Sequence, residues 1–165
     1  MKGDFLKGQI NDLITMIDVS LTQSFLTPKS VAIIGASADP KKTGSRAQRF
    51  LVSHGYKGKI FPVNPNREEI FGLKCYPNLK SINEQVDHIF VAVDGDKIID
   101  SIKDAISINV KCATILSGGF SESGSEGNEL EKYIFKIAKK GDLRILGPNS
   151  IGLINISDNV ILSAN

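Results

Sequence analysis

The sequence predicts an α/β protein built on a doubly wound, Rossmann-like parallel sheet, and three observations predict it. From residue 30 onward, short apolar runs alternate with stretches of helical periodicity. The apolar runs are nearly continuous, as strands buried on both faces require. Glycine-bearing loops follow several of them: Gly35-Ala36-Ser37-Ala38-Asp39-Pro40, Ser117-Gly118-Gly119-Phe120 and Gly147-Pro148-Asn149-Ser150. Such loops at strand ends describe one rim of an open sheet, where these folds bind ligands.

Residues 1–21 are expected to form an N-terminal helical extension, and residues 22–165 one Rossmann-like domain. In the extension, Ile10, Leu13, Ile14 and Ile17 recur at helical spacing and make one apolar stripe. Its polar face is not strongly basic, which argues against a membrane-surface helix. Ser30-Val31-Ala32-Ile33-Ile34 is the first buried strand. A helix is expected from about Gly44-Ser45 to His54, with Gly55 as its stop. Lys59 to Val63 is the second strand, ended by the turn signal Asn64-Pro65-Asn66. Ile70 to Leu79 is irregular, and Pro77-Asn78 marks another turn. His88 to Val93 is the third strand, after which Ile98, Ile99, Ile102, Ala105 and Ile106 fit one helical face. Cys112 to Leu116 is the fourth strand. Leu130, Ile134, Ile137 and Ala138 give the stripe of a helix from about Glu126 to Lys140, stopped by Gly141. The fifth strand, Leu143 to Leu146, breaks at Gly147-Pro148, since proline has no amide with which to extend a ladder.

A chain of 165 residues, 41% apolar and 23% charged, suits one soluble domain. Its 20 basic and 18 acidic residues leave a net charge of +2, and no aromatic-basic stripe appears. That balance argues against a nucleic-acid partner. No run reaches transmembrane length, so no membrane partner is expected. Residues 1–20 also lack the apolar region of a signal peptide, and the expected compartment is cytoplasmic. Cys75 and Cys112 have neither metal spacing nor a disulfide framework, and both are expected to be reduced and structural.

The first loop joins a strand to the start of a helix, where free N–H groups and the macrodipole favour an anion. Gly35 allows close backbone approach, Ala36 and Ser37 are small, and Lys41, Lys42 and Arg46 add positive charge. A phosphate-bearing ligand is the expected guest. Gly35 to Pro40 does not supply the dinucleotide fingerprint G-x-G-x-x-G. The acidic residue that fingerprint wants after the second strand is missing until Glu68, and no Gly-Lys-Ser/Thr closes a Walker loop. NAD and ATP are weakened as ligands accordingly. Arg67 either faces a ribose phosphate or is solvated.

From Ser30 to Asn155 the sequence resembles the coenzyme A-binding domain of the NDP-forming (ADP-forming) acyl-CoA synthetases, relatives of the succinyl-CoA synthetase α subunit. Four segments carry the resemblance: Pro28 to Ser37, Phe61-Pro62-Val63-Asn64-Pro65, Ser117 to Gly124, and Gly147 to Asn155. They lie in the family's order at similar intervals. The resemblance implies coenzyme A (CoA) as ligand, a strongly anionic nucleotide with a long uncharged arm. It places Gly35, Ala36, Ser37 and Pro40 at the nucleotide end, with Val63, Asn64 and Pro65 bordering the adenosine. Lys42 or Arg67 would lie near phosphate. Val93 and the Ser117-Gly118-Gly119 loop would flank the pantetheine, and Pro148, Asn149 and Ser150 would lie near the thiol. For Val63 and Val93, plain strand-end packing is an equal alternative. Two departures stand out. Val93-Asp94-Gly95 replaces a common Val-Pro, which sets a carboxylate where pantetheine contact is expected. Ser150 replaces a common cysteine, with similar size and polarity.

Synthetases of this family interconvert an acyl-CoA, a nucleoside diphosphate and phosphate with an acid, CoA and a nucleoside triphosphate. The relay passes through an acyl phosphate and a phosphohistidine on the following domain. His54 and His88 do not match that histidine's context, so both are expected to be structural or solvent-facing. No catalytic constellation or metal spacing is visible. The chain alone is therefore expected to bind CoA without ligating it, alongside a phosphohistidine domain and an ATP-grasp domain. Two alternatives stay open: a stand-alone regulatory CoA-binding module and a nicotinamide-binding Rossmann domain. Gly35→Val is expected to obstruct the pyrophosphate approach and weaken CoA binding at least about tenfold.

Overall fold

The computed structural model describes residues 19–164, and its elements run α1 (Val19–Leu26), β1 (Ser30–Ile34), α2 (Thr43–Ser53), β2 (Lys59–Val63), β3 (Glu69–Ile70), β4 (Leu73–Lys74), β5 (His88–Val91), α3 (Asp96–Ser107), β6 (Cys112–Ile115), α4 (Ser125–Lys140), β7 (Arg144–Leu146), β8 (Gly152–Asn155) and β9 (Val160–Ser163). The stripe Ile10, Leu13, Ile14 and Ile17 lies outside the described residues. Five strands form one parallel sheet in the order β2-β1-β5-β6-β7, which is the expected fold class. The chain leaves β1 toward β2, then returns to β5 on the other side of β1. That reversal makes the carboxyl ends of β1 and β5 the topological switch point of the sheet.

Every residue of β1, β5 and β6 is buried, which is why those segments read as unbroken apolar runs. Successive side chains take opposite faces. Val31, Ile33 and Phe90 meet Ala47 and Leu51 of α2 and Val160 and Leu162 of β9. Ala32, Ile34, Ile89, Val91, Ala113 and Ile115 meet α3 and α4 through Ile98, Ile102, Ala105, Ile134 and Ala138. Each fully buried side chain of this size contributes about 1.5–3 kcal/mol. α1 lies against β5 and β6: the Nδ1–H of His88 donates to the Ser24 carbonyl at 3.1 Å.

Besides the short antiparallel β3–β4 pair, which reaches into a stretch expected to be irregular, two details differ from the sequence expectation. β5 and β6 stop at Val91 and Ile115 rather than Val93 and Leu116. Ala92 and Leu116 still donate to the carbonyls of Ile34 and Val91, at 2.9 and 3.1 Å, before the backbone leaves for the rim. The second difference is the antiparallel β8–β9 hairpin, whose first strand reads in sequence as the tail of an amide-rich loop. Its register pairs Leu153 with Leu162 and Ile154 with Ile161. A two-stranded hairpin is marginal alone; this one exists because Leu153, Val160 and Leu162 complete the core beside α2.

Candidate ligand site at the switch point

A crevice of about 700 Å³ opens at the carboxyl ends of β1 and β5, within the roughly 300–1,000 Å³ usual for small-molecule sites. One wall is the loop after β1 (Gly35, Ala36, Ser37) with Lys41, Lys42 and the first turn of α2. The floor and far wall come from Val63 to Asn66, Pro77 to Leu79, Ala92 to Asp94, and Lys97, Asp100, Ser101 and Asp104 of α3.

Two glycines bring the first wall together. Gly35 has φ +81°, and a Cβ there would sit 2.6 Å from the Ala92 carbonyl oxygen and 2.7 Å from Val93 Cγ1. A Cβ on Gly44 would strike the Gly35 carbonyl oxygen, so α2 is seated directly on the strand end. Gly35→Val would therefore disrupt the exit of β5 before it obstructed any ligand, and a loss of affinity in that variant would not report on the pyrophosphate. The amides of Gly35 and Ala36 both donate to the Val63 carbonyl, at 3.1 and 3.2 Å. They are spent on tying β1 to β2, so neither is free to meet an anion. Asn64 is engaged at both ends: its Nδ2 donates to the Ala36 carbonyl at 2.8 Å, and its Oδ1 accepts from the Asn66 amide at 2.9 Å. Ser37 Oγ accepts from the Asp39 amide at 3.1 Å, and Asp39 Oδ1 from the Lys41 amide at 3.0 Å. These turns wind the chain into α2, at whose start no side chain caps the helix. On this wall the start of α2, Lys41, Lys42 and the Ser37 hydroxyl are the groups with the chemistry to meet an anion.

Of the residues singled out in sequence, Gly35, Ala36, Ser37, Lys42, Val63, Asn64, Pro65 and Val93 meet in this crevice. Pro40 and Arg67 do not line it: the Pro40 carbonyl accepts from Arg49 Nη1 at 3.3 Å, and Arg67 is exposed. Ser117, Gly118, Gly119, Pro148, Asn149 and Ser150 form a second patch beyond it. There the Asn149 amide donates to the Ser117 carbonyl at 3.1 Å, and the Ser150 amide to Ile115 at 3.2 Å. Ser117 Oγ donates to the Val93 carbonyl at 2.6 Å, so the patch abuts the crevice through Val93. The sheet order explains the adjacency, since β5, β6 and β7 are neighbours. Near Ser117, the Glu122 carboxyl is held below its ordinary range by its own amide and those of Gly119 and Phe120; the Gly119 bond is 2.7 Å.

Sequence reading missed Pro77-Asn78-Leu79 and the polar face of α3. The proline turn was visible, but its neighbour across the crevice was not. That side carries Asp94, Asp100 and Asp104, with Asp104 paired to Lys80 at 2.6 Å. Neither histidine lines the crevice. His54 is exposed at the end of α2, and His88 is fully buried. Burial pushes His88 down to about 4. Among the described residues, no group of three or more His, Cys, Asp or Glu side chains could hold a metal, and no helix is long and apolar enough to cross a membrane. Cys75 and Cys112 are both buried thiols.

A parallel sheet with a cationic-sided crevice at its switch point defines an open α/β ligand-binding domain. The chain belongs to the CoA-binding domain family, which matches residues 29–156. Several of the relatives are ADP-forming acetate-CoA ligases. The Archaeoglobus fulgidus ADP-forming acetate-CoA ligase II is 42% identical over 136 residues, covering 82% of this chain and 20% of the relative. The α subunit of the Pyrococcus furiosus ADP-forming acetate-CoA ligase II is 37% identical over 136 residues, covering 82% and 30%. Among solved structures, the dinucleotide forming acetyl-coenzyme A synthetase 1 of Ca. Korarchaeum cryptofilum, complexed with phosphate and ADP, is 36% identical with a TM-score of 0.82. That match covers 86% of this chain and 30% of the other. The chain thus spans less than a third of the length of each.

Proposed function

We propose that this chain is the CoA-binding part of an ADP-forming acyl-CoA synthetase, and that CoA lies in the switch-point crevice. One observation carries the reading: an open cavity on the carboxyl edge of the sheet, walled by Lys41, Lys42 and an uncapped helix start. The residues present fit the nucleotide end of CoA. Its phosphates suit the α2 wall, where N–H groups and ammonium groups converge. The pantetheine arm would run past Val93 toward Ser117, Gly118 and Gly119, and the thiol would reach Pro148, Asn149 and Ser150. Bound CoA would supply the thiol that accepts the acyl group. The chain's own residues would bind and orient it, while phosphoryl transfer would fall to partner phosphohistidine and ATP-grasp domains. With His54 and His88 both outside the crevice, the chain alone would bind without ligating.

Calorimetric titration with CoA, dephospho-CoA, NAD and ATP tests this, with Lys42→Ala as the variant. CoA is expected to bind, and NAD and ATP not to. Lys42→Ala should weaken CoA about three- to tenfold, with a shallower salt dependence, since one exposed cation beside a phosphate is screened by salt. Binding of NAD but not CoA would overturn the reading.

A further inference from the structure

The patch beyond the crevice is built on a loop that its backbone alone would not hold in one shape. Between Ser117 and Gly124 the chain carries three glycines. Two of them, Gly119 and Gly124, stand at φ +93° and +104°. Such a segment has many conformations open to it, and fixing one is costly in entropy. The flanks are anchored: Ser117 Oγ donates to the Val93 carbonyl, the Ser117 carbonyl accepts from the Asn149 amide, and Phe120 is buried. Gly118 and Gly119 lie between these anchors, and the side chain that holds them is Glu122. Its Oε1 accepts from the Gly119 amide at 2.7 Å. A Cβ at Gly118 would sit 2.9 Å from that same oxygen and 3.7 Å from Asn149 Oδ1, so Glu122 and Asn149 both border Gly118. We propose that Glu122 is a positioning residue, whose carboxylate sets the Gly118–Gly119 turn in the form that receives the uncharged arm of the ligand. This deepens, and rests on, the assignment of the crevice to CoA.

Val93 lines the crevice and its carbonyl is bonded to Ser117, so a ligand that outruns the crevice on that side next meets Ser117, Gly118 and Gly119. A pair of glycines offers that ligand backbone rather than side chains. Among the described residues, the exposed Gly118 amide has no hydrogen-bond partner. The direction of a backbone N–H or C=O is set by φ and ψ, so whatever fixes those angles sets the fit to an amide-bearing arm. Glu122 fixes them as an ionised group. Its carboxyl is held low by the amides of Glu122 itself, Gly119 and Phe120, and hydrogen bonds to an ionised acceptor are the stronger kind. Glu131 secures the next stretch, its Oε2 accepting from the Ser121 amide at 3.1 Å. A loop held in its binding form beforehand spares the ligand the cost of ordering it. Glu122 thus acts through the loop, with its oxygens turned to the loop's own amides rather than to the ligand.

Titrating the whole chain with CoA and with adenosine 3′,5′-bisphosphate, which has the nucleotide end but no arm, tests this through the ratio of the two affinities. CoA is expected to bind more tightly. Glu122→Ala should weaken CoA roughly three- to tenfold, as the ordering of a short loop returns to the binding step, while the bisphosphate keeps its affinity. Glu122→Gln, whose amide oxygen can still accept from Gly119, should recover most of the ratio. That variant also lacks the charge, so it separates hydrogen bonding from electrostatics. Glu122 is exposed, so the sheet does not depend on it, and a general loss of stability would lower both affinities together. A ratio unchanged in Glu122→Ala, or lost equally in Glu122→Gln, overturns the positioning role while CoA binding persists. A wild-type ratio of one does the same, since the arm then gains nothing from the loop. Failure of CoA to bind overturns the CoA reading itself, and this inference with it.

Discussion

His88 shows how one buried side chain can fix both local structure and pH response. Its Nδ1 lies 3.1 Å from the Ser24 carbonyl and its Nε2 2.8 Å from Thr114 Oγ1. A carbonyl can only accept, so the proton sits on Nδ1 and the Thr114 hydroxyl donates to Nε2. The ring is neutral and fully buried, with a pKa lowered from 6.5 to about 4 by desolvation. Between those values the unfolded chain binds the proton and the folded one does not. Stability from this residue is therefore complete above pH 6.5 and falls as pH drops toward 4, by roughly 3 kcal/mol in all. Urea unfolding across that window should show the slope. His88→Leu should be less stable at neutral pH, because Ser24 and Thr114 lose a partner, yet flatter in its pH dependence; an unchanged slope would show that another group titrates.

At the scale of elements, the seating of α2 is the feature on which the crevice depends. Gly35 and Gly44 let the helix start touch the strand end, and Ala47 and Leu51 hold its other face against β1 and β5. α2 is also tied to the hairpin, since Arg46 Nη1 donates to the Ala164 carbonyl at 2.6 Å. Arg46→Ala is expected to destabilise the chain by about 1–2 kcal/mol, the value of a partly buried charge-assisted hydrogen bond. Amide exchange should locate the loss, with β8–β9 amides exchanging faster while β1, β5 and β6 keep their protection. Loss of protection spread evenly over the sheet would mean that the hairpin and sheet open as one unit.

For the whole molecule, the proposed ligand should act as a stabiliser. CoA at a hundred times its dissociation constant would add about 2.7 kcal/mol by mass action. In a domain of this size that amounts to a rise in Tm of roughly 5–10 °C. NAD and ATP at the same concentration should leave Tm where it is. Equal shifts from all three would point to a general anion site rather than one shaped for CoA.

The sequence by itself determined the sheet and its rim. Strands such as Val31 to Ile34 and His88 to Val91 are buried on both faces, so local composition announces them without knowledge of their neighbours. The loops at Gly35, Ser117 and Gly147 were legible because turns need particular residues at particular places. Only the tertiary structure decided which rim residues share a cavity. The return from β2 to β5 sets Pro77, Asn78 and Asp100 opposite Lys42, although no local pattern links segments so far apart. It also decided that the Gly35 and Ala36 amides are spent on Val63, and that Val160 and Leu162 make a strand. Hydrogen-bond partners and hairpin stability belong to contacts between segments, which composition and periodicity along one segment do not specify.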